Sequence, residues 1–321
     1  MSHELHSVAG KTSMAYVGAK PWHGLGQELT AGASIETWVK EAGMEYELLS
    51  SKVAYKTADN KTAIFPNRQV LFRSDDGAPL GLVGDSYKVV QPREVIEFFR
   101  SLAEDHGFEL ETAGVLFNGR KYWCLAKTPE SVKLGKKDEV KGHLMLATAC
   151  DGSMSTIAKY VATRTVCNNT LRIALAENGG EVKTRHNTEF KDGDVKAELG
   201  LFTEAFGAFA DTAKVLSKVK VSSAQAIKFL IDLLGDPTKP IEEQTKNVDT
   251  MKIIAEKFVT QNYIGHELSG DSAWGLVNVC TEYYDHVRGR GQDRRLEYSW
   301  FGGGADIKVS AFDIAAKMFA Q

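Results

Sequence analysis

Between residue 44 and about residue 190, apolar and polar positions alternate in short runs separated by turn residues, a period of two that predicts β-strands. The runs cover 45–56, 69–73, 80–83 and 87–90, and Asp75-Asp76-Gly77 is placed to turn a hairpin between two of them. Two further strands, 109–117 and 120–127, are joined at Asn118-Gly119, a dipeptide suited to a two-residue turn. Another pair, 142–149 and 154–167, flanks Asp151-Gly152. One helix interrupts this series, because Val95, Phe98, Phe99 and Leu102 recur at helical spacing. A second is predicted over 34–43, where Ser34 can cap it, Ile35, Trp38 and Val39 share a face, and Gly43 can end it.

Past residue 195 the period becomes helical. Phe202, Phe206, Phe209, Ala213 and Leu216 line one face, and Ile227, Leu230, Ile231 and Leu234 another, stopped by Gly235 and Pro237. Met251, Ile254, Ala255 and Phe258 form a third, and Ala273, Val277, Cys280, Tyr284 and Val287 a fourth. Val309, Phe312, Ala316 and Phe319 close the chain. The pattern predicts an α+β fold: a twisted antiparallel sheet with packed helices, followed by a mainly helical C-terminal region. Three regions follow, an irregular glycine-containing arm over 1–30, a sheet domain over 31–192 and a helical region over 193–321.

Composition adds limits. The 321 residues exceed what one hydrophobic core usually serves, and the chain is 43% hydrophobic and 25% charged, as a globular protein is. No apolar run is long enough to span a bilayer, and the N-terminus has no apolar core of a secretory signal, so no membrane partner and a cytoplasmic location are expected. The four cysteines, Cys124, Cys150, Cys167 and Cys280, show no zinc or redox spacing. They read as buried thiols, and neither a metal nor a cofactor is expected.

The formal charge of −3 argues against a dedicated duplex-DNA binder but leaves local fields open. Acidic residues gather over 94–111, whereas Lys159, Arg164, Arg172, Lys183, Arg185 and Lys191 gather over 155–191. Arg288, Arg290, Arg294 and Arg295 make a second basic run, interrupted by Asp293 and flanked by Tyr298, Trp300 and Phe301, which reads as a basic loop. Motif-borne catalysis is absent. There is no P-loop, no nucleophile elbow and no H-E-x-x-H, and Gly302-Gly303-Gly304 lacks a preceding buried strand. Asp151, His186, Asp285 and His286 are the residues from which an enzyme of unassigned chemistry would be assembled.

Several segments together resemble one family, the phage/plasmid-like proteins, a domain of unknown function found in prophages and plasmids. They are Pro21-Trp22-His23-Gly24-Leu25-Gly26, the stretch from Gly81 to Gln91, Glu111-Thr112-Ala113-Gly114, the Arg120–Ala126 strand and Asp151-Gly152-Ser153. Val166-Cys167-Asn168-Asn169-Thr170-Leu171, Arg185-His186 and the segment from Ala273-Trp274 to Asp285-His286 complete the set. The resemblance implies a mobile genetic element rather than a chemistry. The predicted architecture in that context is also similar to the single-strand annealing proteins of phages, which implies ATP-independent strand annealing by an oligomeric ring or filament. A phage exonuclease or a host single-strand binding protein would then be a partner.

Annealing requires cations along a phosphate track and apolar or aromatic groups that hold bases without selecting them. Alternation places Tyr160 and Arg164 on one face of a strand and Lys159 on the other. Asn168 and Asn169 are placed to cap a helix from about Thr170 to Ala176, with Arg172 in its first turn. Lys183 and Arg185 extend the strip, and Trp22 and His23 are candidates for a contact between subunits. The expectation is a non-enzymatic protein that binds and anneals single-stranded DNA. The alternatives are the enzyme above, or a structural or regulatory partner of another phage protein, marked by a large exposed apolar patch.

Overall fold

The alternating half of the chain builds two sheets. The computed structural model describes residues 7–8, 11–18, 26–134, 138–164, 170–172, 181–188, 193, 199–289 and 292–320. A short pair, β1 (Ser7–Val8) and β2 (Lys11–Thr12), precedes β3 (Met14–Val17) and β4 (Gln27–Leu29). Three strands, β5 (Leu48–Lys56), β6 (Thr62–Arg73) and β7 (Pro79–Gly84), form an antiparallel sheet of their own in that order. The eight-stranded sheet adds β8 (Glu109–Leu116), β9 (Lys121–Lys133), β10 (Glu139–Ala149), β11 (Thr156–Arg164), β12 (Thr170–Arg172) and β13 (Glu181–Thr184). Its order is β12-β11-β10-β9-β8-β3-β4, with β13 also paired to β11.

The fold is α+β, and β3 and β4 run parallel where an antiparallel sheet was expected. The segment read as an irregular arm therefore contains a core strand, with Met14, Ala15 and Tyr16 all buried. Its three-residue apolar run is too short for periodicity to reveal. The segment 87–90 is not a strand but an extended link. Asn118-Gly119 belongs to a three-residue turn, Phe117–Gly119, in which all three residues have positive φ.

By contacts the chain divides into two compact units, and each draws on three stretches of sequence. The first comprises Met1–Pro129, His143–Lys159 and Glu181–Leu199, the second Glu130–Gly142, Tyr160–Gly180 and Gly200–Gln321. The change of period near 193 is thus a change of secondary structure, while β9, β10 and β11 each have residues in both units.

In the first unit, α1 (Ile35–Glu41) is capped by Ser34, whose Oγ accepts from the Thr37 amide at 3.2 Å. It packs on α2 (Pro92–His106), which buries Val95, Ile96, Phe99 and Leu102. Pro92 suits the first helical position, where its missing N–H has no partner to lose, and Gly107 (φ 69°) ends the helix in the left-handed region. Gln91, just before the helix, accepts from the Leu48 amide at 2.9 Å and so ties the start of β5 to α2.

In the second unit, α3 (Leu199–Leu216), α4 (Ser223–Leu234), α5 (Val248–Val259) and α6 (His266–Ser269) precede α7 (Ala273–Glu282). Every residue of α7 is buried, including Asn278, Thr281 and Glu282, whose polar groups are hydrogen-bonded inside. A π-turn, Tyr283–Val287, leads to α8 (Gln292–Phe301) and α9 (Gly303–Phe319). Arg294 and Arg295 consequently lie in a helix, not in a loop. Phe209 joins the layers, its ring 4.9 Å from that of Phe312 and 6.2 Å from that of Trp274.

Candidate nucleic-acid interface

β11 lies between β10 on one side and β12 and β13 on the other, and nearly all of its side chains, on both faces, are buried. Lys159, Tyr160 and Arg164, three of the expected nucleic-acid contacts, are each only 2% exposed. Tyr160 stacks on Phe202 with ring centroids 4.1 Å apart and 15° between planes. The Arg164 fork meets Asp138 through both arms, Nε donating to Oδ1 at 2.7 Å and Nη2 to Oδ2 at 2.8 Å. Nη2 also donates to the Ser269 hydroxyl at 2.7 Å and the Gly265 carbonyl at 3.2 Å. This guanidinium is an internal tie from β11 to the α6 turn, not a phosphate contact. Lys159 sits in register with Glu181 of β13. The alternation that put Tyr160 and Arg164 on one face is correct; the assumption that either face meets solvent is not.

Thr170–Arg172 is a strand paired to β11, with Arg172 opposite Val161, so no helix begins at Thr170 for a cap to serve. Thr170 and Leu171 suit a ladder, and β11 offers one. Asn168 and Asn169 lie outside the described residues, as do Trp22 and His23. Lys183 and Arg185, by contrast, are both exposed, on and just after β13.

His186 follows them and is held firmly. Its ring stacks on Tyr87 at 4.4 Å and 15°, with Nδ1 at 3.0 Å from the Lys88 carbonyl and Nε2 at 3.0 Å from that of Met154. The Lys88 amide in turn donates to the His186 carbonyl. Tyr87 donates to the Ala149 carbonyl at 2.7 Å. The family-like segments Gly81–Gln91, Asp151–Ser153 and Arg185–His186 thus meet at one place. A Cβ on Gly81 would lie 2.6 Å from the Asp151 Cα, so glycine is required there. Asp151 accepts from the Ser153 amide at 2.9 Å, a turn role.

The residues that pattern reading missed are on the three-stranded sheet. One face of it is core, with Leu48, Leu71 and Val83 buried. The hairpin of β5 and β6 continues beyond that core, and nearly all its side chains are exposed. Lys52, Lys56, Lys61 and Arg68 stand on it, together with Tyr55 and Phe65, whose rings meet edge-on at 6.5 Å. Tyr55 is 50% exposed and Phe65 49%. Lys61 is partly neutralised by Asp59 at 2.7 Å. Between the pairs Lys52/Gln69 and Ala54/Ile64 the register shifts, leaving Phe65, Pro66, Asn67 and Arg68 opposite Val53 alone. Such a bulge bends the ribbon and re-aims its side chains.

Neighbouring pairs carry this surface toward Lys183 and Arg185. Lys52 is opposite Gln69, and Arg68 opposite Gly84. The Gly84 carbonyl accepts from the Tyr87 amide at 3.0 Å, and Tyr87 and Lys88 join His186 as described. Lys52, Arg68, Lys88 and Arg185 are all exposed and all belong to the first unit, on segments joined by these backbone pairings. Asp85 is exposed within this row and Asp59 ends it.

Burial pushes the Cys150 thiol up to about 12 and raises Cys124 and Cys280 further, so at neutral pH all three are thiols rather than thiolates. No group of three metal-ligating side chains is present among the described residues. Asp285 is internal, accepting from Lys308 Nζ at 2.6 Å and from the Ser299 hydroxyl. Of the four residues named for an enzyme, Asp151 and His186 belong to the first unit, Asp285 and His286 to the second. No helix among the described residues is long and apolar enough to cross a membrane.

A family model described as a domain of unknown function (DUF932) matches residues 79–300. No curated protein and no solved structure matches the chain.

Proposed function

We infer, for a chain that belongs to the DUF932 family, a non-enzymatic function: it binds single-stranded DNA and promotes annealing of complementary strands without nucleotide hydrolysis. The reading places it in recombination of a phage or another mobile element, acting as an oligomer beside an exonuclease or a host single-strand binding protein. One observation carries it, the exposed basic and aromatic hairpin of β5 and β6 and its continuation through Arg68, Lys88 and Arg185. Cations on such a ribbon neutralise phosphates, and Tyr55 and Phe65 offer π-faces to any base. Hydrogen-bonding edges of the bases stay free to find a complement. Lys159, Tyr160 and Arg164 support the scaffold in this reading, and Lys183 and Arg185 remain contacts.

The test is fluorescence annealing of complementary oligonucleotides without ATP, with affinity measured across a salt series. Replacing Lys52, Lys56 and Arg68 together by Ser should lower the salt slope of binding by about 2 units and slow annealing. An unaltered slope in this variant and in Arg185→Ala would overturn the assignment, and a wild-type chain that does not accelerate annealing would overturn the function. A monomeric elution profile with and without oligonucleotide would remove the oligomer.

A second reading has its own observation. The outer face of the three-stranded sheet carries Leu49, Val70, Phe72 and Leu82 in register, with Leu82 62% exposed. An apolar face of this kind suits a protein partner. Leu82→Ser would weaken that partnership and leave the salt slope of DNA binding unchanged.

A further inference from the structure

The second unit has a basic and aromatic arrangement of its own, at the turn between the π-turn and α8. Arg288 is exposed, and its guanidinium carbon lies 4.6 Å from the centroid of the Tyr298 ring and 5.6 Å from that of Tyr284. Among the described residues, no carboxylate or carbonyl accepts a hydrogen bond from this guanidinium. Arg295 plays a different part. Its Nε donates to the Arg288 carbonyl at 2.9 Å and its Nη2 to the Gly289 carbonyl at 3.0 Å, which fixes the backbone that carries Arg288. Gly289 takes φ 95°, a conformation that other residues rarely adopt.

The glycine run contributes to the same arrangement. A Cβ on Gly304 would approach the Tyr298 ring to 2.8 Å, and one on Gly302 would come within 3.2 Å of the Tyr298 backbone. Gly302-Gly303-Gly304 is therefore no phosphate loop; it is the space that lets the start of α9 lie against Tyr298. The ring is set by those glycines, the turn by Arg295, and the guanidinium by both. Cation–π attraction to the ring faces uses none of the N–H donors of a guanidinium, so the fork stays available to an anion. A planar fork matches two oxygens of a phosphate, and one acid, Asp293, accompanies the four arginines of 288–295.

We propose that the Arg288 turn is a second phosphate-binding point for single-stranded nucleic acid, carried by the second unit and separate from the hairpin of the first. It rests on the proposed function, to which it adds a contact that the hairpin does not supply. Arg288 is the binding group, and Arg295 and Tyr298 position it.

The experiment measures binding of a labelled oligothymidylate to the full chain across a sodium chloride series. Four proteins are compared: wild type, Arg288→Ala, Arg288→Lys, and the Lys52, Lys56 and Arg68 triple variant. Arg288→Ala should weaken binding about tenfold at low salt and lower the salt slope by about 0.7. Arg288→Lys keeps the charge without the fork, so it should restore the slope and only part of the affinity. Arg288→Ala that binds with wild-type affinity and slope, beside a weakened triple variant, overturns this site and leaves the proposed function standing. Arg288→Lys indistinguishable from wild type reduces the site to a point charge and overturns the stacked-fork geometry. A wild-type chain that does not bind the oligonucleotide overturns both proposals.

Discussion

Two ribbons of this protein use nearly the same residues to opposite ends. β11 carries Lys159, Tyr160 and Arg164, and β5 carries Lys52, Tyr55 and Lys56. In β11 the three side chains are interior, the arginine clamped on Asp138 and the tyrosine stacked on Phe202. In β5 the three are exposed, and Lys56 reaches no further than its in-register neighbour Thr62, at 2.8 Å. The difference lies in what covers the faces of each strand. The side chains of β11 pack against Phe202, Asp138 and Ser269, whereas Lys52, Tyr55 and Lys56 of β5 face solvent. A cation in the interior must be paired, because an unpaired one would shed its hydration without return; on an uncovered face it stays hydrated and can meet an anion. Sequence composition alone does not tell these cases apart.

The comparison breaks most visibly in the core. Asp138→Ala would take the carboxylate that both arms of the buried Arg164 guanidinium engage, and Arg164→Ala would strand that carboxylate. Either should lower stability by about 3–5 kcal/mol, read as a fall in the denaturation midpoint. A loss under about 0.5 kcal/mol, accompanied by a changed salt slope of DNA binding, would return Arg164 to the interface. On the hairpin the expectation reverses. Tyr55→Ala and Phe65→Ala should each weaken single-strand binding by about 1–3 kcal/mol and change stability by no more than about 0.5 kcal/mol. If these variants unfold the protein instead, the hairpin is core to something and the contrast with β11 disappears.

Much of the fold was legible because its periods are clean. The Phe202–Leu216 face, α2, α7 and the Asp75-Asp76-Gly77 turn all follow from spacing. What stayed hidden was hidden for identifiable reasons. The first half of β6 was missed because Pro66 and a polar stretch interrupt the run; the bulge accommodates the proline, which cannot donate to a ladder. The face of α4 was read in part: Leu230 and Leu234 are buried as expected. Ile227 is exposed, whereas Ala226, Phe229 and Leu230 are buried, since the large ring, not the aliphatic spacing, decides which side turns inward. Lys308 is 1% exposed and held by Asp285, a pairing that no spacing announces. The interface proposed above shares only Lys183 and Arg185 with the residues expected from sequence. The rest of it stands on a hairpin whose exposure depends on what packs over its faces, which no local pattern records.

The smallest effect concerns the root of the hairpin. Arg73 ends β6 with its guanidinium over the Tyr46 ring at 3.9 Å, and it donates to Asp75 through Nε at 2.9 Å and Nη2 at 2.6 Å. That fork holds the Asp75 carboxyl below the usual carboxylate range. A carboxyl depressed in the folded state contributes stability above its unfolded value, and the contribution is lost as pH falls through the folded value. Asp75→Asn should therefore be less stable than wild type at neutral pH, by under about 1 kcal/mol because the carboxylate is half in solvent and Asp76 stands 3.7 Å from the same guanidinium. The gap should hold down to about pH 4 and close below it, as the wild-type carboxyl takes up its proton. Denaturation midpoints of the two proteins measured from neutral pH to strongly acid pH decide the matter. A gap that persists once both side chains are uncharged would mean that Asp75 acts through the shape of its turn, and that the exposed ribbon is anchored by geometry and not by charge.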